Sequence, residues 1–480
     1  MRRILSYRDL RHLRLVEILN LRREMMQLKT ISQMLDVPIR TIHSDIRNLN
    51  SYIAPFIIVT ATTGIALEIP ENYSIRYIYK KILENSLEYQ LLNFAFLNEA
   101  MSMEKLSDEL FISESTTKRV IKKINRVIAE KEFEITTSPV AIIGNEKMIT
   151  QFMSYYYNEL YFQLEYLSRE QKDTIKTLVR SVFADNNEEL HFNKLKKYTT
   201  WIFVNLVRIR NGHYVDVKYN IFTKASILED KDYCEKFKRV FGVELTDVSL
   251  GKLLYVRSRT GYLSCYEKLL EVNSTDDEQA ELTAKVVIVL TRMTEELSIE
   301  LHDSVRKSLL LDIVNLINMR GYVTFILYDR REYFLERLSS NYRHIREFVK
   351  SYIEHLVTRP FDNDEINELT YILLTHLPDL FDRLKYIEKR VVVSILVDTD
   401  LEHAYFIKKE LDNYTRFNIA TRILLDCDLE QVYSLPKDEI LVTTIPGITN
   451  TACKILCFAD YFSSRNWLQL NDIITSVLND

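Results

Sequence analysis

ISESTTKRVIKKINRVI, residues 112–128, decides how this chain is read. It has the period of a helix, with Ile121 and Ile124 on one side. Lys118, Arg119, Lys122, Lys123 and Arg126 line the other, and no acid falls between Ser115 and Ala129. SMEKLSDELF (102–111) precedes it as a short helix, and strand-like FEITT (133–137) and VAIIG (140–144) follow it as a wing. About 75 residues upstream the pattern occurs once before. TISQML (30–35) is the short helix there, and VPIRTIHSDIRNL (37–49) is its successor. Laying 37–49 over 112–124 puts Ile46 on Ile121 and Leu49 on Ile124. The solvent positions Arg40, Thr41, His43, Ser44 and Arg47 then fall on Ser115, Thr116, Lys118, Arg119 and Lys122. A longer helix over 10–27 precedes the first copy, with Arg11, Arg14, Arg22 and Arg23 on its polar side. FIIVTATTGIALEIP (56–70), pivoting on Gly64, follows it as two short strands.

A helix fits the major groove of duplex DNA, Arg and Lys reach phosphates or guanine edges, and Ser or Thr near a helix start bonds phosphate oxygens. The expected DNA contacts are therefore Arg40, Thr41, Ser44 and Arg47 in the first head and Ser115, Thr116, Lys118, Arg119, Lys122 and Lys123 in the second, with His43 secondary. Any one of these cations alone reads equally well as a solvated helix face; the duplication of the whole pattern is what selects DNA. Charge distribution agrees. Residues 1–50 hold ten Arg or Lys against five acids, while the whole chain has 63 basic and 68 acidic residues and a net charge of −5.

At 480 residues the chain exceeds one hydrophobic core, and only 8 Gly and 8 Pro occur, which disfavours turn-dense β architecture. The expectation is a multidomain, mainly α protein. Its modules are two winged helix-turn-helix units (1–70 and 71–145), two helical bundles (146–275 and 276–388) divided by the acidic loop VNSTDDEQAE (272–281), and a terminal α/β module (389–480). TTWIFVNLVRIRNGHYV (199–215) resembles KSLLLDIVNLINMRGYV (307–323) in helical period and in the helix-ending Gly212 and Gly321, which suggests that the bundles repeat. In the last module RVVVSILVD (390–398), IATRILLD (419–426), EILVTTIP (439–446) and ACKILCF (452–458) alternate with helices as a small parallel sheet does.

No catalytic constellation emerges, and neither a cofactor nor a metal is expected. The five cysteines, Cys234, Cys265, Cys427, Cys453 and Cys457, lack zinc or disulfide spacing, and Cys453 and Cys457 read as core. Asp398-Thr399-Asp400, after the first strand, reads as a solvated loop capping the next helix, since two acids would repel phosphate. His376, ending the apolar helix LTYILLTH, is either a packed helix-end histidine or an exposed imidazole able to accept a phosphoryl group. The start MRRILSYRDLRHLRL has no signal-peptide core and no 18-residue apolar run occurs, so the expectation is a cytoplasmic protein without a membrane partner.

This order of modules, above all ISESTTKRVIKKINRVI followed by FEITTSPVAIIGNE, resembles the Mga/AtxA family of global virulence regulators of Gram-positive bacteria. The resemblance implies a DNA-binding, non-enzymatic regulator that self-associates as a dimer or larger. It further implies that the bundles are similar to PTS regulation domains (PRD-like), phosphorylated on histidine by a PTS phosphocarrier protein, and that the end module is an EIIB-like oligomerisation domain. The chain departs from that pattern at Trp201 and near Leu310, where the early histidines would stand, and DVSLGKLLY offers no late histidine in the first bundle. His376 matches the late histidine of the second bundle, while anchoring on Glu368 would shift the motif to Thr375. The loop after Val397 lacks the cysteine of an EIIB phosphocarrier. Two other classes compete: a phosphotransferase component, which that missing cysteine disfavours, and a PTS-linked RNA-binding antiterminator, which would lead with a strand-rich module over residues 1–60.

Overall fold

The computed structural model describes residues 1–21, 25–160, 167–186, 188–215, 225–255, 263, 265–320, 325–338, 342–353, 356, 359–380, 383, 390–414, 417–425, 428–449 and 451–479. Cys427, the helix-end Gly321 and the basic pair Arg22–Arg23 lie outside them. The chain divides into two compact units, Met1–Tyr262 with Gly321–Asp329, and Leu263–Arg320 with Arg330–Asp480.

The first unit opens with helices, not strands. They are α1 (Tyr7–Leu21), α2 (Leu28–Leu35) and α3 (Ile39–Asn50), followed by the antiparallel hairpin β1 (Ile57–Ala61) and β2 (Gly64–Glu68). Leu13, Val16 and Leu19 of α1 and Ile42, Ile46 and Leu49 of α3 are buried, as their three- and four-residue spacing requires. Helices α4 (Arg76–Asn85) and α5 (Leu87–Leu97) lead to the second copy: α6 (Met103–Glu109), α7 (Glu114–Ile128) and the hairpin β3 (Phe133–Ile135) with β4 (Ile142–Gly144). Among the described residues the helices α8 (Glu146–Glu159), α9 (Arg169–Asp185), α10 (Phe192–Arg210), α11 (Lys231–Phe241) and α12 (Asp247–Leu253) follow. Arg208 on α10 is fully buried. It forms a two-toothed pair with Glu146 at 2.8 Å on each arm and donates to the Ile142 carbonyl at 3.0 Å, which ties the second wing to the helices behind it.

The second unit begins with α13 (Tyr266–Asn273) and α14 (Asp277–Glu296), so the expected loop over 272–281 shrinks to a short turn. Asp276 is the reason. Its carboxylate accepts from the Gln279 amide at 3.0 Å and starts a helix, as an acid at an N-cap does. Helices α15 (Asp303–Asn318), α16 (Arg330–Leu338), α17 (Tyr342–Ile353) and α18 (Asn363–His376) complete a bundle around Leu290, Met293, Leu309, Ile313, Leu369 and Leu373.

The chain ends in a parallel sheet of β5 (Val391–Leu396), β6 (Ile419–Ile423), β7 (Glu439–Thr443) and β8 (Lys454–Cys457), in the order β6-β5-β7-β8. One face packs Val393, Ile395, Ile440 and Val442 against residues of α19 (Leu401–Tyr414) and α21 (Ser464–Asn479). The other face meets the short α20 (Leu429–Tyr433) through Val432. Asp400 caps α19, accepting from the His403 amide at 2.8 Å. Cys453 is buried, but Cys457, at the end of an edge strand, is exposed, so the expectation that both cysteines are core holds for one.

In the first wing Gly64 is the opening residue of β2, after the turn rather than at its centre, with φ +145°. A Cβ there would stand 2.3 Å from the Met26 carbonyl oxygen, on backbone that pairs with Ile65. Replacing Gly64 with Ala should therefore cost about 2–4 kcal/mol, read as lost hydrogen-exchange protection at Met26 and Ile65.

Candidate nucleic-acid interface

The two heads repeat the same set of bonds, with an offset of 75 in the helices and bridges and 77 at the clamped wing residue. Each short helix ends on a left-handed residue, Asp36 (φ 52°) in the first head and Phe111 (φ 54°) in the second. In each the next amide returns to a serine carbonyl: Val37 to Ser32 at 3.1 Å, Ile112 to Ser107 at 3.0 Å. Each long helix ends with an asparagine that clamps the wing. The Asn50 side chain donates to the Ile58 carbonyl and accepts from the Ile58 amide at 2.9 and 2.8 Å, and Asn125 does both to Ile135 at 2.9 Å. Each wing is joined by one further bridge, Met26 to Ile65 and Met101 to Val140.

This turn leaves α3 and α7 with one buried and one open face. Arg40, His43, Ser44 and Arg47 of α3 are exposed and Thr41 is half-buried; Ser115, Lys118, Arg119, Lys122 and Arg126 of α7 are exposed and Thr116 is half-buried. Ser113 caps α7, its hydroxyl accepting from the Thr116 amide at 3.3 Å. Lys118 lies 3.7 Å from Glu114 on the same face, a solvated pair of little energetic weight.

Lys123 departs from the expected contacts. Its ammonium donates to Glu88 on α5 and to the Leu5 carbonyl, both at 2.7 Å, so its charge is spent inside the protein. Lys123 borders the buried Val120 and Ile124, and this adjacency was visible in the helical spacing. Arg11 likewise leaves the polar face assigned to it. It grips Asp45 of α3 at 2.5 and 2.8 Å, and His12 approaches the same carboxylate at 3.1 Å. Asp45 lies three residues after Ile42 and four before Leu49, squarely on the apolar face, and an acid there demands a cation. Burial pushes its carboxyl up, but the hydrogen bonds from Arg11 and His12 outweigh that and hold it below its ordinary value.

In the second unit His376 ends α18. Its Nδ1 lies 2.9 Å from the Ile372 carbonyl, and its Nε2 faces Ser308 at 3.1 Å and Asp312 at 3.3 Å, both on α15. The hydrogen bond with Asp312 raises the imidazole above its ordinary value against the opposing effect of burial. Among the described residues no group of three or more His, Cys, Asp or Glu side chains is arranged to hold a metal ion, and no helix is long and apolar enough to cross a membrane.

The geometry defines a helix-turn-helix transcription regulator. Residues 71–157 match the Mga helix-turn-helix domain, which covers the second head. The chain is 23% identical to a putative trans-acting regulator of Streptococcus pneumoniae serotype 4 over 87% of each chain. It is 25% identical over 37% of each chain to the capsule synthesis positive regulator AcpA of Bacillus anthracis. To the anthrax toxin expression trans-acting positive regulator of the same organism it is 24% identical, over 43% of this chain and 44% of the other. In these stretches the chain is similar to transcription regulators of the Mga/AtxA type.

Breaking the Asp45 cluster should unlock the first head. Asp45→Ala leaves Arg11 and His12 facing each other without the carboxylate they share and should cost about 3 kcal/mol. Because the Asp45 carboxyl is held low, its contribution is present above the ordinary carboxylate range and is lost as pH falls through its folded value. Hydrogen exchange in α1 and α3 at pH 7 and at acid pH measures both effects: the variant should exchange faster at pH 7 and differ little from wild type in acid.

Proposed function

We propose that this transcription regulator binds duplex DNA with both heads, α3 and α7 each entering a major groove, and that it does so as a homodimer or larger assembly in the cytoplasm. The observation that carries this reading is the bond-for-bond repetition of a turn and wing clamp that each present an open, basic helix face. The contacts are Arg40, Thr41, Ser44 and Arg47 in one head and Ser115, Thr116, Lys118, Arg119 and Lys122 in the other; Lys123 serves the architecture instead. The module boundaries are those of the sequence, at about 70, 145, 275 and 388, with PRD-like bundles and an EIIB-like end module that promotes self-association. The relatives named as positive regulators make activation the favoured mode of action. A chain that leads with helices over residues 1–50 does not favour the antiterminator alternative.

In this reading the second bundle is the sensor, and His376 accepts a phosphoryl group at Nε2 from a PTS phosphocarrier, one N–P bond forming as the donor's bond breaks. Nε2 is the nitrogen directed away from its own helix, since Nδ1 is held by the Ile372 carbonyl; to attack, it gives up its contacts with Ser308 and Asp312, the carboxylate taking any proton it carries. The added charge of about −1.5 to −2 would lie beside Asp312 and repel α15 from α18. Labelled phosphate from a charged phosphocarrier should appear on the wild type and not on His376→Ala.

Titrating an A·T-rich duplex at several salt concentrations tests the heads. Each phosphate contact contributes about 0.9 to the slope of log affinity against log salt, so Lys122→Ala should flatten that slope by about one contact. Lys123→Ala should lower stability and leave the slope at its wild-type value. Equal slopes for the wild type and a variant lacking Lys118, Arg119 and Lys122 would remove α7 from the interface.

A further inference from the structure

Five described residues of the first unit come from far along the chain. Segment 325–329 packs with residues of the first unit, although Arg320 before it and Arg330 after it belong to the second. It is held by a buried carboxylate. Glu159, the last residue of α8, accepts three consecutive backbone amides, from Ile326 at 2.5 Å, Leu327 at 2.8 Å and Tyr328 at 3.1 Å. Ile326 and Leu327 are fully buried. The Leu327 carbonyl accepts from Arg2 Nε at 2.8 Å, and the Tyr328 ring packs edge-on against Tyr79 with centroids 5.0 Å apart, under the guanidinium of Arg76.

From there the bonds run to both heads. Arg2 also pairs with Glu17 of α1 at 2.8 Å, and Tyr79 of α4 donates to the same Glu17. Three residues on, the Leu5 carbonyl takes the ammonium of Lys123 on α7. The N-terminal segment Met1–Leu5 thus joins the strap to α1 of the first head and to the reading helix of the second.

We propose that residues 325–329 are a strap through which the second unit controls the N-terminal segment and, with it, the setting of the two heads, Glu159 being the catch. The effect on DNA rests on the DNA-binding reading; the mechanical link does not. The catch is also sensitive to charge. Burial pushes the Glu159 carboxyl up to about 7, opposed by the three amides and by Arg2. The other ionisable groups around it are the buried Tyr89, which feels the Glu159 charge, and Glu17 and Tyr79 beyond Arg2. Since its value in the folded protein is raised above the ordinary one, the folded arrangement around the catch holds fully below the ordinary carboxylate range and loosens as pH rises through about 7.

The test is residue-resolved hydrogen exchange of the full chain, wild type against Glu159→Gln and the milder Arg2→Ala, with duplex affinity measured on the same samples. Both variants should keep wild-type protection in α14–α18. At Ile326–Tyr328 exchange should rise at least tenfold in Glu159→Gln, whose NH2 turns a donor toward amides that meet oxygen in the charged and the protonated carboxyl alike, and less in Arg2→Ala, with residues 3–5 and α1 deprotected alongside and duplex affinity changed at least threefold. After correction for intrinsic rates, wild-type protection at these amides should be greater at pH 6 than at pH 8, and Glu159→Gln should lose that difference. Unchanged exchange at Ile326–Tyr328 would overturn the strap; so would deprotection confined to those amides while residues 3–5, α1 and affinity stay the same. If the wild type binds no duplex, the DNA reading fails, and joint deprotection of the strap and residues 3–5 still establishes the link.

Discussion

The arrangement of the two heads depends on one ion pair, Lys123 with Glu88. Glu88 is buried on α5, the helix between the heads, and a buried carboxylate requires a partner. By supplying it, the second reading helix is fixed to the connector and, through the Leu5 carbonyl, to the N-terminus. The same device recurs in the first unit at Asp45 with Arg11 and His12 and at Glu146 with Arg208. Breaking one partner of such a pair strands the other, so these contacts specify geometry more than they add net stability.

Helices and wings were legible because period and turn chemistry are local. The helix over 401–414 and the four parallel strands follow from apolar runs bounded by charge, and the duplicated heads from a single offset that aligned Ile46 with Ile121. Where the sequence misled, long-range pairing had decided the outcome. A lysine written among other lysines, Lys123, turns inward because Glu88 waits there, and an arginine on a polar face, Arg11, turns toward Asp45. No local pattern announces a partner 34 or 35 residues away. Glu159 was silent for the same reason: its partners are backbone amides of a segment more than 160 residues on. The acidic stretch at 272–281 misled differently, since acids that suggest a loop also favour the first turn of a helix.

A net charge of −5 is compatible with the proposed DNA binding because the two signs are segregated. The open faces of α3 and α7 are basic, while their acids are either withdrawn into buried pairs, as Asp45 is, or kept to the first turn, as Glu114 is. Asp312 in the second unit stands in the opposite situation, solvated beside His376, where it raises the imidazole and would oppose a second negative group. Elsewhere the second unit fastens with carboxylates as the first does, Glu365 with Arg320 and Glu439 with Arg422.

The discontinuity of the first unit bears on how the protein is made. Its heads and first bundle lie ahead of Tyr262 and can form as they leave the ribosome, since domains generally fold in the order of synthesis. The strap cannot, because Tyr328 emerges only after α13–α15 of the second unit. Until then the Glu159 carboxylate lacks its three amides and Arg2 lacks the Leu327 carbonyl. A nascent chain therefore passes through a stage with both heads formed and joined through Lys123 but with Glu159 and Arg2 still without their strap partners, and a chaperone or protease acting on that stage would meet this site open.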